Sequence, residues 1–215
     1  YCHNPDTWNL NTNQEMSVDE ILKQYDGVKE FAKGGITVAN NQTFTISDVV
    51  YKNFTTGFVN AGILNINNVT FSDNTVADVS NTNKLNLEGT NTFNRAITGS
   101  TGTTTVSSGT TTFNGALTQS ALTITGGEVD ANSTVTADNL TNNGILSIGA
   151  DNLIITNAVD NKGTLNLEAG ILASDITTTT STGTTNIKGN VTSNKTITQN
   201  TITTDNIDRK STRLN

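Results

Sequence analysis

A short motif of alternating apolar and polar residues recurs along this chain at intervals close to twenty residues, and that beat constrains the fold more than any single residue does. Seven runs carry it: Leu64-Asn65-Ile66, Leu85-Asn86-Leu87, Thr104-Thr105-Val106, Leu122-Thr123-Ile124, Leu146-Ser147-Ile148, Leu165-Asn166-Leu167 and Thr185-Asn186-Ile187. From the last residue of one run to the last of the next, the intervals are 21, 19, 18, 24, 19 and 20. Phe71, Phe93 and Phe113 keep the same beat, at 22 and 20, and the flanks Thr90-Asn91-Thr92-Phe93-Asn94 and Thr110-Thr111-Thr112-Phe113-Asn114 are nearly the same. A third apolar set, Val79, Ile97, Leu117, Leu140, Val159, Ile176 and Ile197, steps by 18, 20, 23, 19, 17 and 21. Each repeat therefore holds about three short strands.

Side chains alternate between the two faces of a strand, so Leu165 and Leu167 point inward while Asn166 points out. Three such strands cannot bury one apolar face by themselves. If the chain coils and each coil lies on the last, every backbone group finds a partner above or below and the inward residues merge into one narrow core. The expectation is an all-β, single-stranded parallel β-helix of about seven to eight coils, each of roughly twenty residues. Seven coils at about 4.8 Å each make a rod roughly 34 Å long. Irregular coil length favours the right-handed type over the tighter left-handed hexapeptide form. On this reading the long interval between Ile124 and Ile148 is extra chain bulging at a corner, and Asn65, Asn86, Thr105, Thr123, Ser147, Asn166 and Asn186 form one outward ladder. That ladder is the candidate binding wall. Its competing role is structural, with each amide or hydroxyl bonding its copy in the next coil.

Composition agrees with many short strands joined by tight turns. Only 33% of the chain is hydrophobic and 5% aromatic, too little for one large core, while 42 Thr and 32 Asn dominate beside 18 Gly and a single Pro. Disorder is the rival explanation for so polar a chain, but disordered segments are rich in Pro, Glu and Lys, and charged residues here amount to 14%. Thr is stiff and suits strands, whereas Asn and Gly suit turns. A net charge of -7, with no basic run in the body of the chain, argues against a nucleic-acid partner. Cys2, the sole cysteine, has no partner for an internal disulfide, and no stretch approaches the roughly 18 apolar residues of a membrane span.

Three segments differ in character. Residues 1–33 lack the period, and Ser17-Val18-Asp19-Glu20 is a capping-box pattern opening an amphipathic helix with Ile21, Leu22, Tyr25, Val28 and Phe31 on one side, stopped by Gly34-Gly35. Such a helix suits a lid over the open end of the stack, and the other reading is a linker or remnant of an upstream domain. Residues 34–207 form the β-helix, with Ile36 to Phe54 as a first, less regular coil. Residues 208–215, DRKSTRLN, are what a common sequencing-adaptor read encodes in one frame, and are expected to be a translation artefact. Without them the chain holds 9 basic and 18 acidic residues, a charge of -9. The start at Tyr1, without an initiator Met, likewise suggests a fragment.

Catalytic signatures are sparse. His3 is the sole histidine and lies by the first residue, which disfavours a Ser-His-Asp or Cys-His arrangement, and Cys2-His3 is too short to signal a haem attachment site. No metal-ligand spacing, phosphate-binding loop or nucleotide fingerprint appears, so no cofactor is expected. Parallel β-helices also serve polysaccharide lyases and related hydrolases, which gather carboxylates with Arg or Lys on neighbouring coils. Here Asp73, Asp78, Glu88, Glu128, Asp130, Asp138, Asp151, Asp160, Glu168 and Asp175 are spread along the chain and are read as solvated surface acids, with Arg95 the one arginine before residue 208. Ice binding needs paired Thr repeated at coil spacing, and Thr177 to Thr180 is not repeated that way.

From Ile36 to Ile207 the chain resembles the β-helical passengers of type V autotransporters and related repetitive adhesins of Gram-negative bacteria. The likeness rests on asparagine-glycine corners followed by alternation, as in Asn143-Gly144-Ile145-Leu146-Ser147-Ile148 and Asn161-Lys162-Gly163-Thr164-Leu165-Asn166-Leu167. Gly34-Gly35-Ile36 and Phe71-Ser72-Asp73-Asn74 are similar to the GGA-I and F-x-x-N signatures of polymorphic outer-membrane proteins, although Thr37 replaces the usual Ala. The resemblance implies a non-enzymatic, surface-exposed or secreted passenger with a role in adhesion, display or spacing, a C-terminal outer-membrane barrel beyond this fragment, and host or neighbouring-cell glycans or proteins as partners. The alternative is a fragment of a carbohydrate-active β-helix enzyme.

Overall fold

The computed structural model describes residues 35–149, 152–177 and 182–205, so the expected lid helix in residues 1–33 and the tail 208–215 lie outside the described residues. Among the described residues every strand pairing is parallel, and 23 strands join in one continuous sheet. The sheet winds into a β-solenoid of nine coils, spanning residues 36–52, 58–72, 77–93, 96–113, 117–131, 135–148, 153–167, 170–187 and 191–204. The all-β parallel β-helix expected from the repeat is the fold observed. It has nine coils where seven to eight were expected, because the last coil has no apolar-polar-apolar run to announce it.

Each coil has three walls. Phe58–Asn60 lies on the first, and the single strand Ile63–Ser72 bends through the second and third. The bend is one residue, Asn68, at a φ of 55°; Asp48, at the same corner of the coil below, has the same φ. Asn and Asp tolerate this left-handed region because their short polar side chains bond locally.

Inward residues stack in register. On the third wall Tyr51, Phe71, Phe93 and Phe113 continue into Ala131, Ile148, Leu167 and Ile187. The rings of Phe71 and Phe93 are 4.8 Å apart and 16° from parallel, and those of Phe93 and Phe113 are 5.4 Å apart. The second wall contributes Leu64, Leu85, Thr104, Leu122, Leu140 and Val159, and the first Phe58, Val79, Ile97, Leu117, Val135 and Leu153. All of them are buried, and each large side chain contributes about 1.5–3 kcal/mol of transfer free energy.

The expectation of one continuous ladder is corrected by the register. The runs at 64–66, 85–87, 104–106 and 122–124 share the second wall, whereas those at 146–148, 165–167 and 185–187 share the third. Above Ile124 the second wall continues with Leu140-Thr141-Asn142, and Leu146-Ser147-Ile148 sits instead on Val129-Asp130-Ala131. The interval between Ile124 and Ile148 is therefore a change of wall, with no bulge. Its origin is an internal copy: Leu85-Asn86-Leu87-Glu88 recurs as Leu165-Asn166-Leu167-Glu168, and Asn60-Ala61-Gly62-Ile63-Leu64 as Asn142-Asn143-Gly144-Ile145-Leu146. The copy is displaced by four coils along the stack and by one wall around it.

Replacing Phe93 by Ala should cost about 3–5 kcal/mol, because the coils on either side hold the cavity open, whereas the outward Thr92→Ala should stay within about 0.5 kcal/mol. Chemical denaturation of both variants measures this, and equal losses would contradict the assignment of the two faces.

Candidate binding walls and buried amide tracks

Two outward ladders are present in place of one. On the second wall Asn65 donates through Nδ2 to Thr45 Oγ1 at 3.2 Å, and Asn86 donates to Asn65 Oδ1 at 2.9 Å; Thr105 and Thr123 follow in register, then Thr141 and Asp160. On the third wall Asn166 donates to Ser147 Oγ at 3.0 Å, Asn186 donates to Asn166 Oδ1 at 2.8 Å, and Thr203 donates to Asn186. Below Ser147 this column continues through Asp130, Thr112, Thr92 and Thr70. The seven candidate residues thus form a group of four and a group of three on different walls. An Asn side chain offers two donors and two acceptor lone pairs, and a ladder uses one of each, so the half-buried Asn65, Asn86 and Asn186 keep hydrogen-bonding capacity for solvent or a ligand, whereas Asn166, expected to point outward, is buried between its neighbours in the column.

A matching polar system lies inside. Asn60 and Asn81 are fully buried at the end of the first wall, where Asn60 Nδ2 reaches Asn81 Oδ1 at 2.7 Å. Asn81 Nδ2 then reaches Gln119 Oε1 at 2.6 Å, two coils away. The intervening coil makes room with Gly99, whose φ is 123° and where a Cβ would lie 1.9 Å from the Asn81 carbonyl oxygen. Thr104 Oγ1 also donates to Gln119 Oε1, at 3.1 Å. The internal copy repeats this on the next corner: Asn142 donates to Asn161 at 2.8 Å, Asn161 reaches Gln199 at 2.7 Å past Gly183, and Thr185 donates to the same Gln199 oxygen at 3.3 Å. Buried amides must be paired, and here each finds its partner in one stacking register alone.

Asp78 departs from the expected solvated acids. It is fully buried; Oδ1 accepts from Asn74 Nδ2 at 2.8 Å and Oδ2 accepts from the Arg95 backbone N–H at 2.8 Å. Asn74 Oδ1 accepts from the Phe54 N–H at 3.1 Å, so the Phe71-Ser72-Asp73-Asn74 string is a corner clasp between coils. Burial pushes the Asp78 carboxyl above its usual range of about 3.8, and its hydrogen bonds and Arg95 offset part of that rise. Burial, and secondarily the Asp78 charge, raises the Tyr51 hydroxyl well above its normal value; that buried oxygen has no hydrogen-bond partner among the described residues. The F-x-x-N string carried the only sequence signal for this clasp.

Other acids are tied to coil-to-coil bonding. Asp48 accepts from Asn68, Asp138 from Thr156, Asp175 from the Thr196 N–H, and Glu88 from Ser107. Asp160 pairs with Lys162 at 2.7 Å and Glu168 with Lys188 at 3.9 Å, both on the surface. Among the described residues no three His, Cys, Asp or Glu side chains gather as a metal site, and no helix is long and apolar enough to cross a membrane.

No family model matches the chain, and no solved structure matches it. The chain is 34% identical over 58 residues to the pyruvate formate-lyase-activating enzyme of Listeria monocytogenes, and equally to that of Listeria innocua. The match covers 26% of this chain and 23% of each enzyme, so the chain spans about a quarter of the length of these relatives.

Folding shifts the Asp78 carboxyl toward its protonated form relative to the unfolded chain. Its contribution to stability is full below the ordinary carboxyl pKa and is lost as pH rises through the elevated folded value. Relative to wild type, Asp78→Asn should gain stability as pH rises above the ordinary carboxyl range of about 3.8, read from thermal unfolding; a pH-independent difference would contradict the shift. Asn81→Leu should cost about 1–3 kcal/mol by removing one buried hydrogen bond from each of Asn60 and Gln119, measured by urea unfolding.

Proposed function

We propose that this chain is a non-enzymatic, surface-exposed or secreted β-helix passenger that presents its walls for adhesion or display, or holds a distal part of its protein away from the cell. The supporting observation is the division of labour between faces: most of the described carboxylates, among them Asp48, Asp78, Asp138, Asp160, Glu168 and Asp175, are tied into coil stacking or surface pairs, while the outward Asn65, Asn86 and Asn186 keep part of their hydrogen-bonding capacity along two walls. Uncharged, regularly spaced donors and acceptors suit hydroxyl-rich ligands such as host or neighbouring-cell glycans, and also protein backbones. An autotransporter-like setting, with an outer-membrane barrel elsewhere in the protein, belongs to the same proposal. The activity named for the Listeria relatives is not carried over, because the match spans a quarter of either chain.

A glycan and matrix-protein binding screen on this chain is the direct test. Binding that falls about tenfold in Asn86→Ala or Asn186→Ala, the loss of roughly one hydrogen bond's worth of free energy, supports display. Binding to no ligand leaves the spacer role, and cleavage of a polysaccharide by the purified chain would overturn the proposal in favour of a carbohydrate-active enzyme.

A further inference from the structure

Seven asparagines among the described residues begin an Asn-x-Ser/Thr triplet without Pro, the acceptor pattern for N-linked sugar: Asn41, Asn53, Asn68, Asn132, Asn139, Asn190 and Asn194. A chain so rich in Asn and Thr produces such triplets by chance, so the pattern alone says little. Their placement says more. All seven asparagines are exposed, and none of the seven buried asparagines belongs to a triplet.

The seven also divide by geometry. Asn68 and Asn139 lie within the strands Ile63–Ser72 and Val135–Asn142; Asn68 Nδ2 donates to Asp48 at 2.9 Å, and Asn139 Oδ1 accepts from Asn157 at 2.9 Å. Asn132 Nδ2 donates to Asn114 at 2.9 Å. The third residues of these three triplets, Thr70, Thr134 and Thr141, are half-buried. By contrast Asn41, Asn53, Asn190 and Asn194 sit outside the strands, their side-chain amides make no hydrogen bond among the described residues, and the third residues Thr43, Thr55, Thr192 and Thr196 are exposed. Asn41 occupies a turn closed by the Gln42 N–H on the Ala39 carbonyl, and it and Asn53 have left-handed φ values of 63° and 61°; Asn68, at the bend of its strand, shares that conformation at 55°, so what sets it apart is its bond to Asp48 and the paired strand on either side of it.

We infer that Asn41, Asn53, Asn190 and Asn194 are acceptor sites for N-linked carbohydrate. A transferase must pull the triplet out of the surface and engage both the amide and the Thr hydroxyl, which a site outside the strands with an unbonded amide permits and an amide clasped to the next coil within a paired strand resists. In the transfer, Asn Nδ2 attacks the anomeric carbon of a phosphate-activated sugar. The new carbon–nitrogen bond forms as the carbon–oxygen bond to phosphate breaks; the amide proton passes to a base of the transferase, and the phosphate group departs with the electron pair. The four sites lie at the first and ninth described coils, whose outer strand edges have no described partner. Bulky hydrophilic groups there would shield the two edges from pairing with another sheet.

The folded full chain, made in a host without such transferases, is incubated in one arm with a transferase using lipid-linked pyrophosphate oligosaccharide and in another with one using a nucleotide-activated hexose. Peptide mass mapping then reads each site. Sugar is expected at the four corner asparagines in at least one arm, which identifies the donor class, with occupancy at Asn68 and Asn139 lower by about tenfold or more, the cost of opening a strand. Thr43→Ala and Thr196→Ala should each remove sugar from Asn41 and Asn194 alone. Peptides from the digested chain should lose the discrimination. No transfer in either arm, or equal occupancy of strand and corner sites in the folded chain, overturns the inference; discrimination that persists in the peptides overturns its structural basis.

Discussion

Among the described residues every strand is hydrogen-bonded to the coils above and below it, and the remaining features follow from that arrangement. A buried backbone amide or carbonyl must be paired, and in a solenoid the pairing is possible only if successive coils have nearly equal length. The twenty-residue beat is the covalent expression of this requirement. It also explains how a chain with 33% hydrophobic residues holds a dry interior: one or two buried apolar positions per wall segment suffice when each is stacked on its copy.

Parallel stacking alone would tolerate sliding, since one Thr-rich strand resembles the next. Two features oppose it. The large aromatics of the first four coils pile on one another at the third wall, so a shift would drive a ring against a smaller neighbour. The buried Asn60–Asn81–Gln119 and Asn142–Asn161–Gln199 tracks add a polar penalty, because each amide has its partners in one register and none in water if displaced. Gly99 and Gly183 complete both tracks by omitting a Cβ that would strike the carbonyls of Asn81 and Asn161. Stability and specificity thus come from different residues, the aliphatic columns supplying the first and the amides the second.

With the interior meeting these demands, the outward positions are released from packing. Asn, Thr and Ser fill them, bonding along the stack while keeping part of their hydrogen-bonding capacity directed outward. The internal copy turns the same ladder by one wall, so equivalent surfaces face different directions at the two ends of the rod. The proposed display or spacing role draws on these outward positions.

Much of this was legible in the sequence. Period, strand content, parallel stacking and the inward identity of Leu64, Leu85, Leu165 and Phe93 all follow from alternation at a fixed interval, a local property that needs no knowledge of distant contacts. Which wall each run occupies did not follow, because all three walls are written in the same apolar-polar-apolar pattern and only the pairing of Ser147 with Asp130 distinguishes them. Asp78 illustrates the same boundary: its carboxyl resembles any surface acid in the text, and it is buried because Asn74 and the Arg95 amide, from the same coil and the next, close over it. The sequence by itself determined that the chain must coil and what lies inside each strand; tertiary structure decided register, wall and the burial of individual polar groups, since these depend on which coil meets which and not on local pattern.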